Sequence, residues 1–204
     1  MDNIILEVAI GLVNCFNNRN FLTFPEYHNK GKEKTRISEQ ESKILFANEL
    51  LNKKIRFAIE VPTKTKHIQT GKTPQSARFD LVTYDNKSYD FDWVIELKSK
   101  NPPLYHFKKD FEKMVLTESN CIWFHTLKNS NERTYEVLLG KINNGINSVI
   151  KKHKGKHIWK IAIVILEKME LFIFDINLNE KEYDKINSIG QFKKEDLSRI
   201  IKGI

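Results

Sequence analysis

Two apolar segments, residues 77–84 and 91–99, flank a polar stretch, Asp85-Asn86-Lys87-Ser88, that is typical of a turn. Apolar runs of this length on either side of a turn predict a β-hairpin. The second run is strongly apolar around its centre, where it contains Trp93, Val94, Ile95 and Leu97. We therefore expect the chain to fold around a sheet in which the second strand of this hairpin is largely buried.

Charged residues interrupt both strands: Asp80 lies in the first, and a Glu-x-Lys triplet, Glu96-Leu97-Lys98, lies in the second. Alternating positions of a strand share one face of the sheet, so Glu96 and Lys98 should project side by side. Two carboxylates on a partly apolar surface repel each other and are costly to bury. A divalent cation relieves both penalties, because Mg²⁺ and Mn²⁺ prefer oxygen ligands. The alternative is a structural ion pair, in which Lys98 neutralises Glu96 or Asp80.

The register of the hairpin decides whether Asp80 can join the triplet. If residues 87–89 form the loop, Asp80 lies directly opposite Glu96, and the two Cβ atoms are about 4.5–5.5 Å apart. The same register places Val82 opposite Val94 and Tyr84 opposite Asp92. A loop of different parity would turn Asp80 away unless a bulge restored it.

The remaining segments predict a mixed β-sheet flanked by helices, an α/β fold, in a single domain spanning residues 1–204. Helical periodicity predicts helices over residues 2–18, 38–52, 105–117, 132–152 and 193–202. Apolar runs predict strands over residues 55–61, 77–84, 91–99, 121–127, 159–166 and 171–176. Pro62 should end the first strand, and polar residues 27–36 and 63–76 should form loops.

The charge balance favours an anionic partner. The chain has 34 basic and 26 acidic residues and a formal net charge of +8, which raises the expectation of nucleic-acid binding. Only six basic residues are arginine, so contacts to the phosphate backbone are favoured over extensive reading of bases. A lysine-biased genome would explain the same ratio.

Cysteine and histidine give no metal-site pattern. Cys15 and Cys121 lie in apolar surroundings without metal-ligand spacing, as expected of reduced core residues in a cytoplasmic protein. His106 and His125 also lack paired spacing, and we interpret them as polar residues at element edges. The apolar run Ile4–Val13 contains Glu7 and is too short to span a bilayer, so no membrane partner is expected.

An acid, a hairpin and a Glu-x-Lys triplet before a helix resemble the PD-(D/E)XK nuclease superfamily, which has the restriction-endonuclease-like fold. The core of that fold runs helix, three antiparallel strands, helix, strand (αβββαβ), and residues 38–127 are expected in that order. The flanking segments would be N- and C-terminal elaborations. Phe79 replaces the family proline before the first acid, a departure that is frequent within the superfamily.

The resemblance implies that Asp80 and Glu96 are ligands of Mg²⁺ or Mn²⁺, with the Leu97 carbonyl as a third. Lys98 would orient or activate the attacking water and stabilise charge that develops on the phosphate.

Many superfamily members also place a glutamate of the first core helix near the metal. Glu41 fits that catalytic position best, and Glu39 is next. A second role is open for Glu41, because Ser38 at the N-cap would form a capping box with it.

Residues on either side of the hairpin are candidates for contact with nucleic acid: Lys72, Gln75, Arg78, Lys108 and Lys109. The basic segments 63–76 and 151–156 are further candidates. Solvated turns and a solvated helix face explain the same residues equally simply. Phosphate contacts would give affinity without sequence information.

The leading hypothesis is a metal-dependent nuclease, with a DNA endonuclease of restriction or defence favoured. A non-catalytic nucleic-acid-binding module and a partner-dependent subunit of a restriction or defence complex are the alternatives, and metal-dependent turnover distinguishes them. A homodimer is also open, since cutting both strands of a duplex often uses two sites related by two-fold symmetry. P-loop and nucleophile-elbow motifs are absent, which excludes motor, kinase and serine hydrolase chemistry.

Overall fold

The computed structural model describes residues 1–17, 21–29, 32–67, 75–149, 157–177 and 192–202. The helices in these ranges are α1 (Asp2–Phe16), α2 (Gln40–Asn52), α3 (Leu104–Val115), α4 (Glu132–Val149) and α5 (Leu197–Lys202). The strands are β1 (Glu26–Asn29), β2 (Lys32–Thr35), β3 (Phe57–His67), β4 (Gln75–Tyr84), β5 (Phe91–Ser99), β6 (Asn120–Leu127), β7 (Ile158–Ile165), β8 (Glu170–Asn177) and β9 (Phe192–Asp196). Across the described ranges, none of the helices has the length and apolar character needed to cross a membrane.

Seven strands form one mixed sheet in the order β3-β4-β5-β6-β7-β8-β9, while β1 and β2 pair separately. The β5–β6 and β6–β7 pairs are parallel, and the other neighbours in the large sheet are antiparallel. Parallel neighbours need a crossover connection, which α3 and α4 supply here. A mixed sheet flanked by helices is the α/β architecture expected from the sequence.

Apolar side chains bury both faces of the sheet. One face packs against α1 and α2 in a cluster that includes Ile5, Phe46, Leu81, Ile95 and Phe124. The other face packs against α3 and α4 in a cluster that includes Val82, Val94, Phe111, Trp123 and Ile146. Neighbouring residues of β4 and β5 thus enter opposite clusters, as the alternation of a strand requires. Both β4 and β5 lie inside the sheet, so charged groups on them are drawn into a largely apolar environment.

Pro62 does not end its strand, contrary to the prediction. β3 continues to His67 and pairs with β4 as far as Gln75, with a register shift between Pro62 and Lys66. Proline lacks the N–H that a ladder needs, but β3 ends the strand order and so has one side that needs no donor. Residues 63–67 and 75–76, which were predicted to lie in a loop, therefore belong to strands, and Lys72 lies outside the described residues.

Two other segments also differ from their predictions. Residues 27–36 were expected to be a loop, but β1 and β2 pair there from Glu26 with Thr35 to Asn29 with Lys32. The C-terminal helix expected from residue 193 begins at Leu197, because β9 precedes it and pairs with β8. Sheet pairing outweighs local helical preference in that segment.

The packing of α4 on α3 predicts opposite outcomes for two glycines of α4. A Cβ on Gly145 would lie 2.7 Å from Cδ2 of Phe111, whereas a Cβ on Gly140 would meet nothing within 4 Å. Phe111 is fully buried and cannot easily give way. We expect Gly145→Ala to lower the free energy of unfolding by about 1–3 kcal/mol. Gly140→Ala should raise it by about 0.5–1 kcal/mol, since alanine is the better helix former.

Urea unfolding of both variants and the wild type measures these changes. A Gly145→Ala variant that is as stable as the Gly140→Ala variant would contradict the close approach of α4 to Phe111.

Candidate functional site

The pairing of β4 with β5 brings Asp80 to the Glu-x-Lys triplet. Val82 pairs with Val94, as predicted. The last paired residues at this end are Leu81 and Ile95, one position before Asp80 and Glu96. Beyond them the Asp80 side chain contacts β5: its Oδ2 accepts a hydrogen bond from the Leu97 N–H at 2.8 Å. Asp80 therefore lies directly against the backbone of the triplet.

The turn end of the hairpin differs from the prediction. Tyr84 pairs with Phe91 and not with Asp92, because β5 carries one extra residue between this pair and the Thr83–Trp93 pair. Such a bulge shifts the register only beyond the point where it occurs. The register at Asp80 is unaffected, since Asp80 lies on the other side of the paired segment.

Glu96 is 1% exposed and reaches α3, where its Oε1 lies 2.6 Å from Nζ of Lys113. Burial raises the pKa of Glu96; the charge of Lys113 opposes that rise, and the charges of Asp110 and Asp80 add to it. The charge of Asp80 therefore acts on the ionisation of Glu96.

Lys98 also reaches α3, which confirms that it shares a face with Glu96. Its Nζ lies 3.0 Å from Oδ2 of Asp110 and 5.7 Å from the centre of the Trp123 ring. Burial acts to lower the pKa of Lys98, but the charges of Asp110, Glu96 and Glu39 outweigh it and raise the pKa. Lys98 is accordingly a cation across the neutral pH range.

Lys43 of α2 forms an ion pair with Asp80. Its Oδ1 lies 3.1 Å from Nζ of Lys43, and the same ammonium contacts Oε1 of Glu60 on β3. Glu60 has a φ of 54°, a left-handed conformation that residues other than glycine rarely adopt. Strained backbone of this kind clusters at functional sites, so Glu60 belongs in the description of this one.

Glu39, which the sequence placed second to Glu41 as the acid of the first core helix, lies close to the triplet. It is the N-cap residue of α2, and its Oε1 accepts the Ser99 N–H at 3.3 Å. Burial raises its pKa, the charge of Lys98 opposes the rise, and the charge of Asp80 adds to it. Glu39 therefore shares the electrostatic environment of Asp80 and Lys98.

Glu41 points elsewhere within the same region. It is buried and accepts a hydrogen bond from Ser38 Oγ at 2.6 Å, and its charge adds to the effect of burial in raising the pKa of Cys15 on α1. The predicted N-cap at Ser38 is wrong by one residue, because the Ser38 hydroxyl hydrogen bonds to the Glu41 carboxylate and α2 begins at Gln40.

Glu39 and Glu41 nevertheless line one cavity of about 500 Å³. Its lining also includes Ser99 and two exposed basic residues, Arg36 and Lys100. Sequence reasoning missed Arg36 and Lys100, although Lys100 follows the triplet by two residues. The lining includes Ser99, the last residue of β5, which directly follows the triplet.

The predicted nucleic-acid contacts are only partly placed. Arg78 is exposed on β4, two residues before Asp80, while Lys108 is exposed and Lys109 is half-buried on α3. Gln75 is the first residue of β4, and its side chain, like Lys72 and segment 151–156, lies outside the described residues. These assignments remain predictions.

Sequence reasoning missed Asp110 and did not expect Lys113 to contact the acid of the triplet. Asp110 lies between Phe107 and Phe111 at helical spacing, and all three are buried in α3. That spacing could have shown that Asp110 faces the sheet, because residues three and four apart share a helix face. Lys113, three residues further on, lies beside it and is also buried.

Acids outnumber lysines among the side chains joined by these interactions. Five carboxylates stand against three ammonium groups, a formal balance of −2 when all are ionised: Glu39, Glu60, Asp80, Glu96 and Asp110 against Lys43, Lys98 and Lys113. A divalent cation would neutralise that balance, and carboxylates are the ligands it prefers. In the described part of the chain, no group of three or more Asp, Glu, His or Cys side chains is arranged to hold a metal ion. The predicted set of two carboxylates and a carbonyl consists of the oxygen donors that such a cation prefers.

Comparison with known proteins adds a single distant likeness. No protein-family model and no curated protein matches the chain. Among solved structures, SfsA from Pyrococcus furiosus in complex with Ca²⁺ is similar at a TM-score of 0.32 and 9% identity, over 70% of each chain. A TM-score of this size does not establish a common fold.

Proposed function

We propose that the protein is a metal-dependent nuclease that hydrolyses phosphodiester bonds, with DNA as the favoured substrate and restriction or defence as a compatible setting. The observation that carries this proposal is the hydrogen bond between the Asp80 carboxylate and the Leu97 N–H. It joins the acid of β4 to the backbone of the Glu-x-Lys triplet on β5, which supports a shared site for these residues.

The order of elements supports the restriction-endonuclease-like part of the proposal. From α2 to β6 the chain runs helix, three antiparallel strands, helix and a strand parallel to β5. This is the order of the PD-(D/E)XK core. The triplet lies on the third strand, immediately before α3, which is its position in that superfamily.

Asp80, Glu96 and the Leu97 carbonyl would hold Mg²⁺ or Mn²⁺, with Glu39 as the acid contributed by α2. When bound, the cation supplies Lewis acidity and a water of lowered pKa. The Leu97 N–H holds one oxygen of Asp80, and the other lies 3.1 Å from Nζ of Lys43. Glu96 is anchored in the sheet interior, where water access is limited.

Lys98 would act as a cation on the substrate. Because the surrounding carboxylates raise its pKa, it retains its proton and donates hydrogen bonds. An ammonium group in a water-poor site stabilises negative charge on a phosphate far more strongly than one in bulk solvent. This favours charge stabilisation and water orientation over proton abstraction as the role of Lys98.

Contacts with the sugar–phosphate backbone would come from basic residues around the cavity and on α3. Arg36 and Lys100 line the cavity with Glu39, and Arg78 on β4 and Lys108 on α3 are exposed. The net charge of +8 supports the same partner. Binding should therefore weaken steeply with salt concentration.

Cleavage of supercoiled plasmid tests the proposal. With Mg²⁺ or Mn²⁺ we expect nicked or linear product, and with EDTA none. Asp80→Asn should abolish the product, whereas Asp92→Asn, an equal charge change at an exposed position of β5, should leave it unchanged. Equal activity of the wild type and Asp80→Asn would place the activity elsewhere or in a contaminant.

The second candidate is a nucleic-acid-binding module or partner-dependent subunit without activity of its own. The pairing of Asp80 with Lys43 and of Glu96 with Lys113 favours it, because lysines then neutralise the acids without metal. It predicts plasmid binding without cleavage, or cleavage after a partner is added.

A further inference from the structure

We infer that Asp110 and Lys113 of α3 are positioning residues of this site, an inference that rests on the proposed function. They contact Glu96 and Lys98 and would set where those two groups lie. Both are almost fully buried, with side chains 8% and 6% exposed.

Lys113 links the two strands that carry the candidate metal ligands. Its Nζ lies 2.6 Å from Glu96 Oε1 on β5, 3.0 Å from the Arg78 carbonyl on β4 and 3.0 Å from Asp110 Oδ1. An ammonium group has three protons to donate, and these contacts use all three. Lys113 thus links β4 to β5 through hydrogen bonds. It has no proton left to donate to the phosphate of a substrate.

Asp110 divides its carboxylate between the two lysines. Oδ1 contacts Lys113 and Oδ2 contacts Lys98, each at 3.0 Å. One side chain thereby couples the group that anchors Glu96 to the group expected to act on the substrate. Rotation of Lys98 away from the site would break the contact with Asp110 and leave a buried acid with one partner fewer.

Stability alone gives a poor reason for this arrangement. Desolvation of buried charges usually cancels the gain from pairing them, and apolar side chains of similar volume often serve as well or better. A network that fixes the geometry of Glu96 and Lys98 has a reason to retain charges there. Residues that orient metal ligands in this way typically change metal affinity or activity by about 10–100-fold when replaced.

Calorimetric titration with Mn²⁺ tests the inference without relying on cleavage. Asp110→Asn keeps the shape of the side chain and should weaken Mn²⁺ binding by about 10–100-fold. Glu136→Gln, an equal charge change at an exposed position of α4, should bind Mn²⁺ like the wild type. Lys113→Met should weaken binding similarly, and Lys113→Arg should restore most of it, because arginine keeps the charge and several donors.

Thermal melting of each variant separates positioning from loss of folding. If Asp110→Asn is unfolded at the temperature of the titration, the Mn²⁺ affinities of Lys113→Arg and Lys113→Met test the inference instead. Equal affinities of these two variants would overturn it. Affinities within twofold of the wild type for folded Asp110→Asn and Lys113→Met would overturn the inference and leave the nuclease proposal standing. A wild-type protein that neither binds Mn²⁺ nor cleaves plasmid would overturn both.

Discussion

Replacement of Lys98 by methionine is expected to slow plasmid cleavage by about 10²–10³-fold while the protein stays folded. Removal of a single donor aimed at developing charge typically costs about 2.7–4 kcal/mol of transition-state stabilisation. Methionine retains most of the Lys98 stem and can still pack against the Trp123 ring. The loss should therefore fall on the rate of the chemical step and not on DNA affinity.

Single-turnover rates at saturating Mg²⁺ measure this effect. Lys87→Met removes the same charge from the exposed turn of the hairpin and serves as the matched control. Rates within threefold of each other for the two variants would show that Lys98 has no part in the chemistry. In that case Lys98 would serve only in a structural ion pair, with Asp110 as its partner in place of the Glu96 or Asp80 expected from the sequence.

Local patterns predicted the part of the site that depends on one hairpin. Strand alternation places Glu96 and Lys98 on one face, and Val82 pairs with Val94 as predicted, although the turn end carries a bulge that was not predicted. Both depend on contacts between neighbouring segments. The strand expected over residues 91–99 has those same bounds in the structure.

Contacts between distant segments explain what the sequence did not predict. Lys113 appears in the sequence as one of several lysines on a helix, and only the packing of α3 against β5 makes it the partner of Glu96. The choice between Glu39 and Glu41 likewise depends on how the start of α2 meets the end of β5. The prediction at Pro62 was wrong for a related reason. Proline is tolerated in a strand at the edge of a sheet. The sequence of β3 alone does not show that it is an edge strand.

His125 shows the same dependence on tertiary packing. It was interpreted as a polar residue at an element edge, yet it is fully buried in β6, where it pairs with Lys98 of β5. Its Nε2–H donates to the Lys100 carbonyl, and its Nδ1 has no hydrogen-bond partner in the described part of the chain. Burial lowers the pKa of His125 from 6.5 to about 4, and the charge of Lys98 acts in the same direction.

This buried imidazole should make the protein less stable in acid. The unfolded chain takes up a proton at His125 near pH 6.5, whereas the folded protein does so only near pH 4. The contribution of neutral His125 is thus complete above pH 6.5 and is lost as the pH falls towards 4. Between pH 7 and 4.5 we expect the free energy of unfolding to fall by about 2 kcal/mol more for the wild type than for His125→Gln. Urea unfolding at both pH values measures the difference, and parallel losses in the two proteins would mean that His125 is protonated in the folded state.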